Sequence, residues 1–249
     1  MKNRTGEKRK MNNGQIAEII EYRGWGDIDI KFEDGIIRNN VNYGKFKEGK
    51  IKNYYKPEVY NKGYLGEEGI KKKTSLEKEK AYRVWIDMLH RCYDNDYHKT
   101  HPSYINCEVC KEWHDYSNFK KWFDKNYYEI EGEKIELDKD ILSKNNKIYS
   151  PNTCVFIPNK INILITDSIK NAKGYVIHKR GKKKYQAVIR IDNKTISLGY
   201  FYTSEEAHNV YIKANKERIS KTIISYKDKI PNNIYFKILD TLEYLGLIK

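Results

Sequence analysis

The run from Tyr185 to Ile191 alternates apolar and polar residues at every position but Val188. Strand side chains point to opposite faces in turn, so Tyr185, Ala187, Ile189 and Ile191 share one face and Lys184, Gln186, Val188 and Arg190 share the other. Asp192-Asn193-Lys194 reads as a tight turn, and Thr195 to Phe201 as the returning strand, with Ile196 and Leu198 on the apolar face. Thr203-Ser204-Glu205-Glu206 then opens a helix, with Thr203 and Glu206 at capping-box spacing. Ala207, Val210, Tyr211 and Ala214 follow at i, i+3, i+4 and i+7, one helical stripe. A helix with one apolar stripe can cover a sheet with one apolar face. The pattern therefore predicts a three-stranded sheet packed on one helix over residues 173–219, its other face open, polar and basic.

The rest of the chain completes an α+β reading. Residues 1–12 read as a basic tail and 13–57 as a small β domain, a twisted barrel or meander. In that domain Gln15 to Tyr22 is apolar-rich, Asp27 to Phe32 alternates, Glu33-Asp34-Gly35 is a hairpin turn and Val41 to Phe46 a further strand. Its role is either docking or a structural cap. Residues 58–78, rich in Gly, Lys and Glu, read as a linker. Residues 79–170 begin with helices rich in aromatics: Tyr82, Trp85, Leu89 and Cys92 at helical spacing, then Trp113, Tyr116, Phe119, Trp122 and Phe123. These aromatics read as core. Lys134 to Pro158 reads strand, loop, strand, and a helix starts at Asn159. Residues 220–249 read as a closing helical segment, packing in the same chain or on a second copy.

The 249 residues carry a formal charge of +14, spread along the chain. A diffuse positive field attracts polyanions, and phosphate contacts make such binding salt-sensitive. The excess argues against a protein-interaction module that mimics nucleic acid, which would be acidic. Lys is accompanied by many Asn, Ile and Tyr residues, so codon bias in an AT-rich genome is the competing explanation. No run reaches the roughly 18 apolar residues that span a bilayer, and the charged N-terminus is not followed by an apolar stretch, so neither a membrane partner nor a signal peptide is expected. The expected location is cytoplasmic.

The open face of the sheet carries His178, Arg180, Lys184, Gln186 and Arg190, joined from the third strand by Thr195 and Ser197. Arg and Lys hold phosphates or read guanine, and Gln pairs with adenine. Lys179, Lys182 and Lys183 crowd the hairpin loop, where they grip phosphate, and Lys194 flanks the second turn. The alternative is a solvated face. Three stretches, Gly174-Tyr175-Val176, Tyr185 to Arg190 and Leu198 to Ala207, with Tyr211 and Ala214, resemble the DNA-binding domain of the APETALA2/ethylene-response-factor class over about a fifth of the chain. The resemblance implies double-stranded DNA as partner, bound by the sheet in the major groove. It departs at Val188, where the family has glutamate, so base preference does not carry over.

The middle block resembles phage and mobile-element proteins related to HNH homing endonucleases, through Trp85-x-x-Met88-Leu89-x-Arg91-Cys92-Tyr93, Val109-Cys110-x-x-Trp113, Phe119, Leu137-Asp138-Lys139-Asp140 and Tyr149-Ser150-Pro151-Asn152-Thr153-Cys154. That resemblance implies an HNH-like ββα finger, a bacterial host cell and a nucleoid-associated location. In an HNH finger a histidine activates water while His, Asn or Asp residues hold one divalent metal at the scissile phosphate. The matching positions are Asp138, Lys139, Asp140 and Asn152, with Mg²⁺ or Mn²⁺ at Asp138 and Asp140 and support from Asn145 and Asn146. No histidine lies between Leu137 and Leu164, and Lys139 is a poor general base while charged. Two readings stay open: a metal-dependent endonuclease or nickase, and a DNA-binding protein, regulatory or counter-defence, on an inactive finger.

All four cysteines lie in this block. Cys107-x-x-Cys110 has the spacing of a zinc knuckle, which Cys92 and Cys154 would complete as a structural Zn²⁺ site, with His98, His101 and His114 as alternatives. Buried free thiols are the competing reading. Monomer and homodimer remain equally open.

Overall fold

A computed structural model of the chain describes residues 3–67, 78–141, 146–191 and 194–248. It divides into two units, Met1–Trp122 and Phe123–Lys249. Both mix helices and antiparallel strands, as an α+β chain does. Among the described residues no helix is long and apolar enough to cross a membrane.

The first unit opens with a four-stranded antiparallel sheet in sequence order: β1 (Lys8–Lys10), β2 (Ile16–Gly24), β3 (Asp27–Phe32) and β4 (Ile37–Val41). It is an open meander. The three-residue β1 pairs with β2 alone and β4 with β3 alone, so the expected alternative of a closed barrel is not formed. The stretch read as a basic tail supplies β1, and Met11 is buried behind it. Ile28, Ile30 and Phe32 point inward from β3, as the alternation requires, onto Ala17, Ile19, Tyr43 and Phe46. The strand expected over Val41 to Phe46 stops at Val41. Asn42 accepts the Lys45 N–H and caps helix α1 (Tyr43–Lys47) instead.

The stretch expected as linker is partly built in. Val59 bridges to Gly63, and a Cβ on Gly63 would lie 2.8 Å from the Trp85 ring. Residues 68–77 lie outside the described residues. Helix α2 (Lys80–Tyr93) buries Trp85, Met88 and Leu89. The short helix α3 (Asn95–Thr100) follows, then strand β5 (Glu108–Val109), helix α4 (Lys111–His114) and helix α5 (Tyr116–Asn126). Trp85, Trp113, Tyr116 and Phe119 are each 0% exposed, so the aromatic stripe is core. Trp85 Nε1 donates to the Trp113 carbonyl at 2.7 Å, which satisfies its polar atom.

The second unit contains two elements that share a helix. Strand β6 (Ile135–Asp138) pairs antiparallel with β8 (Val155–Pro158); between them lies the two-residue strand β7 (Ile148–Tyr149), and after them helix α6 (Asn159–Lys170). This is the expected order of strand, loop, strand and helix. Strands β9 (Tyr175–Ile177), β10 (Tyr185–Ile191) and β11 (Lys194–Phe201) form an antiparallel sheet with β10 central. Residues 192 and 193 of the predicted turn lie outside the described residues. Helix α7 (Ser204–Ile224) starts with the predicted capping box: Thr203 accepts the Glu206 N–H, and the Glu206 carboxylate accepts from the Thr203 backbone.

The first half of α7 covers the sheet with Ala207 and Tyr211. The second half buries Ile219 and Ile223 among Val155, Ile157, Ile161 and Ile165 of the strand–helix element. Helix α8 (Asn232–Tyr244) joins that same core through Ile234, Ile238 and Leu242. The closing helical segment therefore packs within its own chain.

Candidate nucleic-acid interface

The two faces of the β9–β10–β11 sheet are told apart along its central strand. Ala187 and Ile189 of β10 are 0% and 4% exposed beneath α7, while Arg190 is exposed on the other side. Gly174 makes the close approach possible: it sits at φ +67°, and a Cβ there would fall 2.0 Å from the Tyr211 ring.

The register of β11 contains a shift. Val188 pairs with Ser197 and Ile189 with Ile196, but Ala187 pairs with Gly199 and Gln186 with Tyr200. Leu198 is the extra residue of a β-bulge, and a one-residue insertion flips the alternation beyond it. Ser197 and Thr195 lie on the open face as expected. So does Tyr200, which unbroken alternation does not place there; it is 49% exposed. Gly199, at φ +127°, is the signal in the sequence, since a glycine inside a strand pattern marks a bulge. Ile196 keeps the inner side but stays 44% exposed.

Gln186 stands at the centre of the open face, paired across the strands with Val176 on one side and Tyr200 on the other. His178 Nε2 donates to Gln186 Oε1 at 2.7 Å, and Gln186 Nε2 donates to Ser197 Oγ at 3.0 Å. The His178 ring also packs against Tyr200, with centroids 5.5 Å apart. Around this centre lie the hairpin cations Lys179, Arg180, Lys182, Lys183 and Lys184, and Lys194 at the far end; all are exposed. Among the described residues none of these six forms an ion pair with a carboxylate. Lys183 rests over the Tyr202 ring, 5.3 Å from its centroid. Arg23 in the first unit contrasts with them. Its guanidinium is held by Asp27 and Asp29 at 2.7 and 2.6 Å, which occupies the fork a phosphate would need.

Behind the sheet, Arg218 of α7 donates to the Arg190 carbonyl. It also reaches Asn215 Oδ1 at 2.8 Å and Ser168 Oγ of α6 at 3.4 Å. Asn215 and Ser168 are 2% and 3% exposed. This polar joint fixes the far end of β10 to both helices.

The expected catalytic segment lies in the turn after β6, where its side chains hold the turn together. Asp138 Oδ1 accepts the N–H groups of Asp140 and Ile141 at 2.9 and 2.7 Å. Burial pushes its carboxyl above the usual carboxylate range, against the pull of those two N–H groups. Lys139 is 6% exposed. Its ammonium donates to Asp140 Oδ1 at 2.6 Å and to the Asn146 carbonyl at 2.8 Å. Asn146 closes the same loop by donating to the Lys139 and Ile148 carbonyls. Asn152 is exposed, and Asn145 lies outside the described residues. The Lys139 ammonium takes Oδ1 of Asp140, whose side chain is otherwise more than half exposed.

Cys92, Cys107 and Cys154 are buried and Cys110 is half-buried, all without a disulfide. Burial raises the Cys110 thiol above its ordinary range. His114 lies beside Tyr93, with Nε2 3.1 Å from the hydroxyl. Among the described residues no group of three or more His, Cys, Asp and Glu side chains is arranged to hold a metal ion. No family model, no curated protein and no solved structure matches the chain.

Proposed function

We propose that this chain is a double-stranded DNA-binding protein, of the kind carried by phage and mobile elements, and that it binds without cutting. The open face of β9–β10–β11 carries the reading. A face about 10 Å across, from three strands at about 4.8 Å spacing, suits a major groove about 12 Å wide. It presents polar and aromatic groups at its centre and cations at both ends, and among the described residues none of Lys179, Arg180, Lys182, Lys183, Lys184 and Lys194 is tied to a carboxylate. The resemblance to the APETALA2 class supports the same face. The Asp138–Lys139–Asp140 turn supports the non-cutting choice, because Asp138 serves as a turn cap and Lys139 as a buried donor.

The experiment is fluorescence anisotropy with labelled 20-base-pair duplexes, run beside incubation with supercoiled plasmid and Mg²⁺ or Mn²⁺. Saturable duplex binding with the plasmid left supercoiled is the expected result. Nicking that disappears in Asp140→Ala restores the nuclease reading. Absence of binding at low salt removes DNA as the partner.

A further inference from the structure

The open face reads as a basic surface when its cations are considered alone, but its centre holds an organised donor and acceptor pair. We infer that Gln186 reads an adenine in the major groove, and that Val176 and Tyr200 flank it against thymine methyl groups. The inference rests on the DNA-binding reading above and deepens it by naming the base pair recognised.

A glutamine amide carries two N–H donors and two oxygen lone pairs. In this chain one lone pair is taken by His178 Nε2 and one N–H by Ser197 Oγ. One donor and one acceptor remain. The same remainder is left if the amide is turned over, because His178 and Ser197 can each exchange donor for acceptor. Adenine presents N7 as acceptor and N6–H as donor in the major groove, the complement of that pair. Guanine presents N7 and O6, both acceptors, and would set a carbonyl against the Gln186 oxygen. The clamp from both sides fixes the side chain before any base arrives, so less freedom is lost on binding.

The neighbours in the same cross-strand row are an aliphatic and an aromatic side chain. Val176 is 47% exposed and Tyr200 49% exposed, and each pairs directly with Gln186. On an A·T pair the thymine O4 lies next to the adenine N6–H and the thymine C5-methyl beyond it, where it takes an apolar contact. The cations stand away from this row, at the hairpin from Lys179 to Lys184 and at Lys194 beyond the other end of β10. That layout puts phosphate contacts outside and base contacts inside, as a sheet lying in a groove requires. The wide, methyl-bearing groove belongs to B-form DNA; the RNA major groove is deep, narrow and lacks thymine methyls.

The test uses the full chain and a randomised 20-base-pair duplex pool, with bound duplexes recovered and sequenced. An A·T pair fixed within the recovered sequence is the expected outcome. In that duplex, 7-deazaadenine at the fixed adenine should weaken binding by about 5- to 150-fold, the range for one bidentate base contact. The same replacement should make no difference to Gln186→Ala. Deoxyuridine for the thymine should cost about fourfold, the worth of one methyl, and should have no effect on the double variant Val176→Ala, Tyr200→Ala. Gln186 is half-buried and Val176 and Tyr200 are exposed, and unchanged urea midpoints would show that the variants fold. Recovery of a fixed G·C pair, or of the same sequence by Gln186→Ala, overturns the inference while leaving DNA binding intact. Equal affinity for the RNA form of the duplex overturns it too. A pool from which nothing is recovered at any salt removes the DNA-binding reading itself.

Discussion

Gly174 and Asp138 show how single positions act through partners distant in space or unexpected in kind. At Gly174 two costs combine: a positive φ that a Cβ resists, and a ring already in the space the Cβ would fill. Gly174→Ala should therefore destabilise by about 2–6 kcal/mol, the sum of a strained φ and an overpacked contact. A lower urea midpoint at unchanged m would show it; an unchanged midpoint would mean that Tyr211 can swing aside. Asp138 works in the opposite sense. Burial raises its folded-state pKa, so the folded protein holds this proton more tightly than the unfolded chain does. The stabilising contribution of that proton is complete below the unfolded pKa and disappears as pH rises through the folded pKa. At neutral pH the buried charge opposes folding. Asp138→Asn keeps the oxygen that caps Asp140 and Ile141 and removes the charge. The variant should match or exceed the parent in stability at about pH 7, and its advantage should shrink toward about pH 4. Urea titrations across that range measure it, and an Asn variant clearly weaker at neutral pH would show that Asp138 gains more from its charge than from its cap.

At the level of elements, α7 is the piece whose role the pattern revealed only in part. Its start was plain, because Thr203 and Glu206 name a capping box and Ala207 and Tyr211 name the covering stripe. Its continuation was not. A helix of 21 residues is about 31 Å long, and its second half turns Ile219 and Ile223 into a different core from the first. Local periodicity gives which face of a helix is apolar but not what covers it, so the sheet module and the strand–helix element read as separate domains. The bulge at Leu198 escaped for a related reason: a register shift is a property of two strands, and Gly199 alone hinted at it. The turn after β6 likewise showed its carboxylates but hid Lys139, whose burial depends on Asn146 and Tyr149 folding over it. One consequence is testable. If α7 joins the two elements, the slow amides of β10, α6 and α7 should exchange with a common opening free energy in native-state hydrogen exchange. Earlier opening of β9–β11, with α6 still protected, would show two cooperative units joined by a continuous helix.

For the whole molecule the question is whether a charge of +14 acts as a diffuse cloud or through a defined surface. The two give different salt dependence. A diffuse cloud speeds encounter and is weakened equally by removal of any two cations. A docked face releases counterions only where phosphates are met, and each contact contributes about −0.9 to the slope of log K against log salt. Lys179, Arg180, Lys182, Lys183, Lys184 and Lys194 make six candidate contacts, for a slope of roughly −5 and a loss of about a thousandfold in affinity between 50 and 200 mM salt. The double variant Lys182→Ala, Lys184→Ala should then lower the slope by about 2. Lys45 and Lys47 on α1 are equally exposed and equally basic but stand far along the chain in the first unit. Replacing both with alanine makes the same change in net charge, and it should leave the slope where it was. Equal losses from the two double variants would mean that the duplex responds to charge wherever it lies, and the open face of β9–β11 would lose its claim to be the surface that docks.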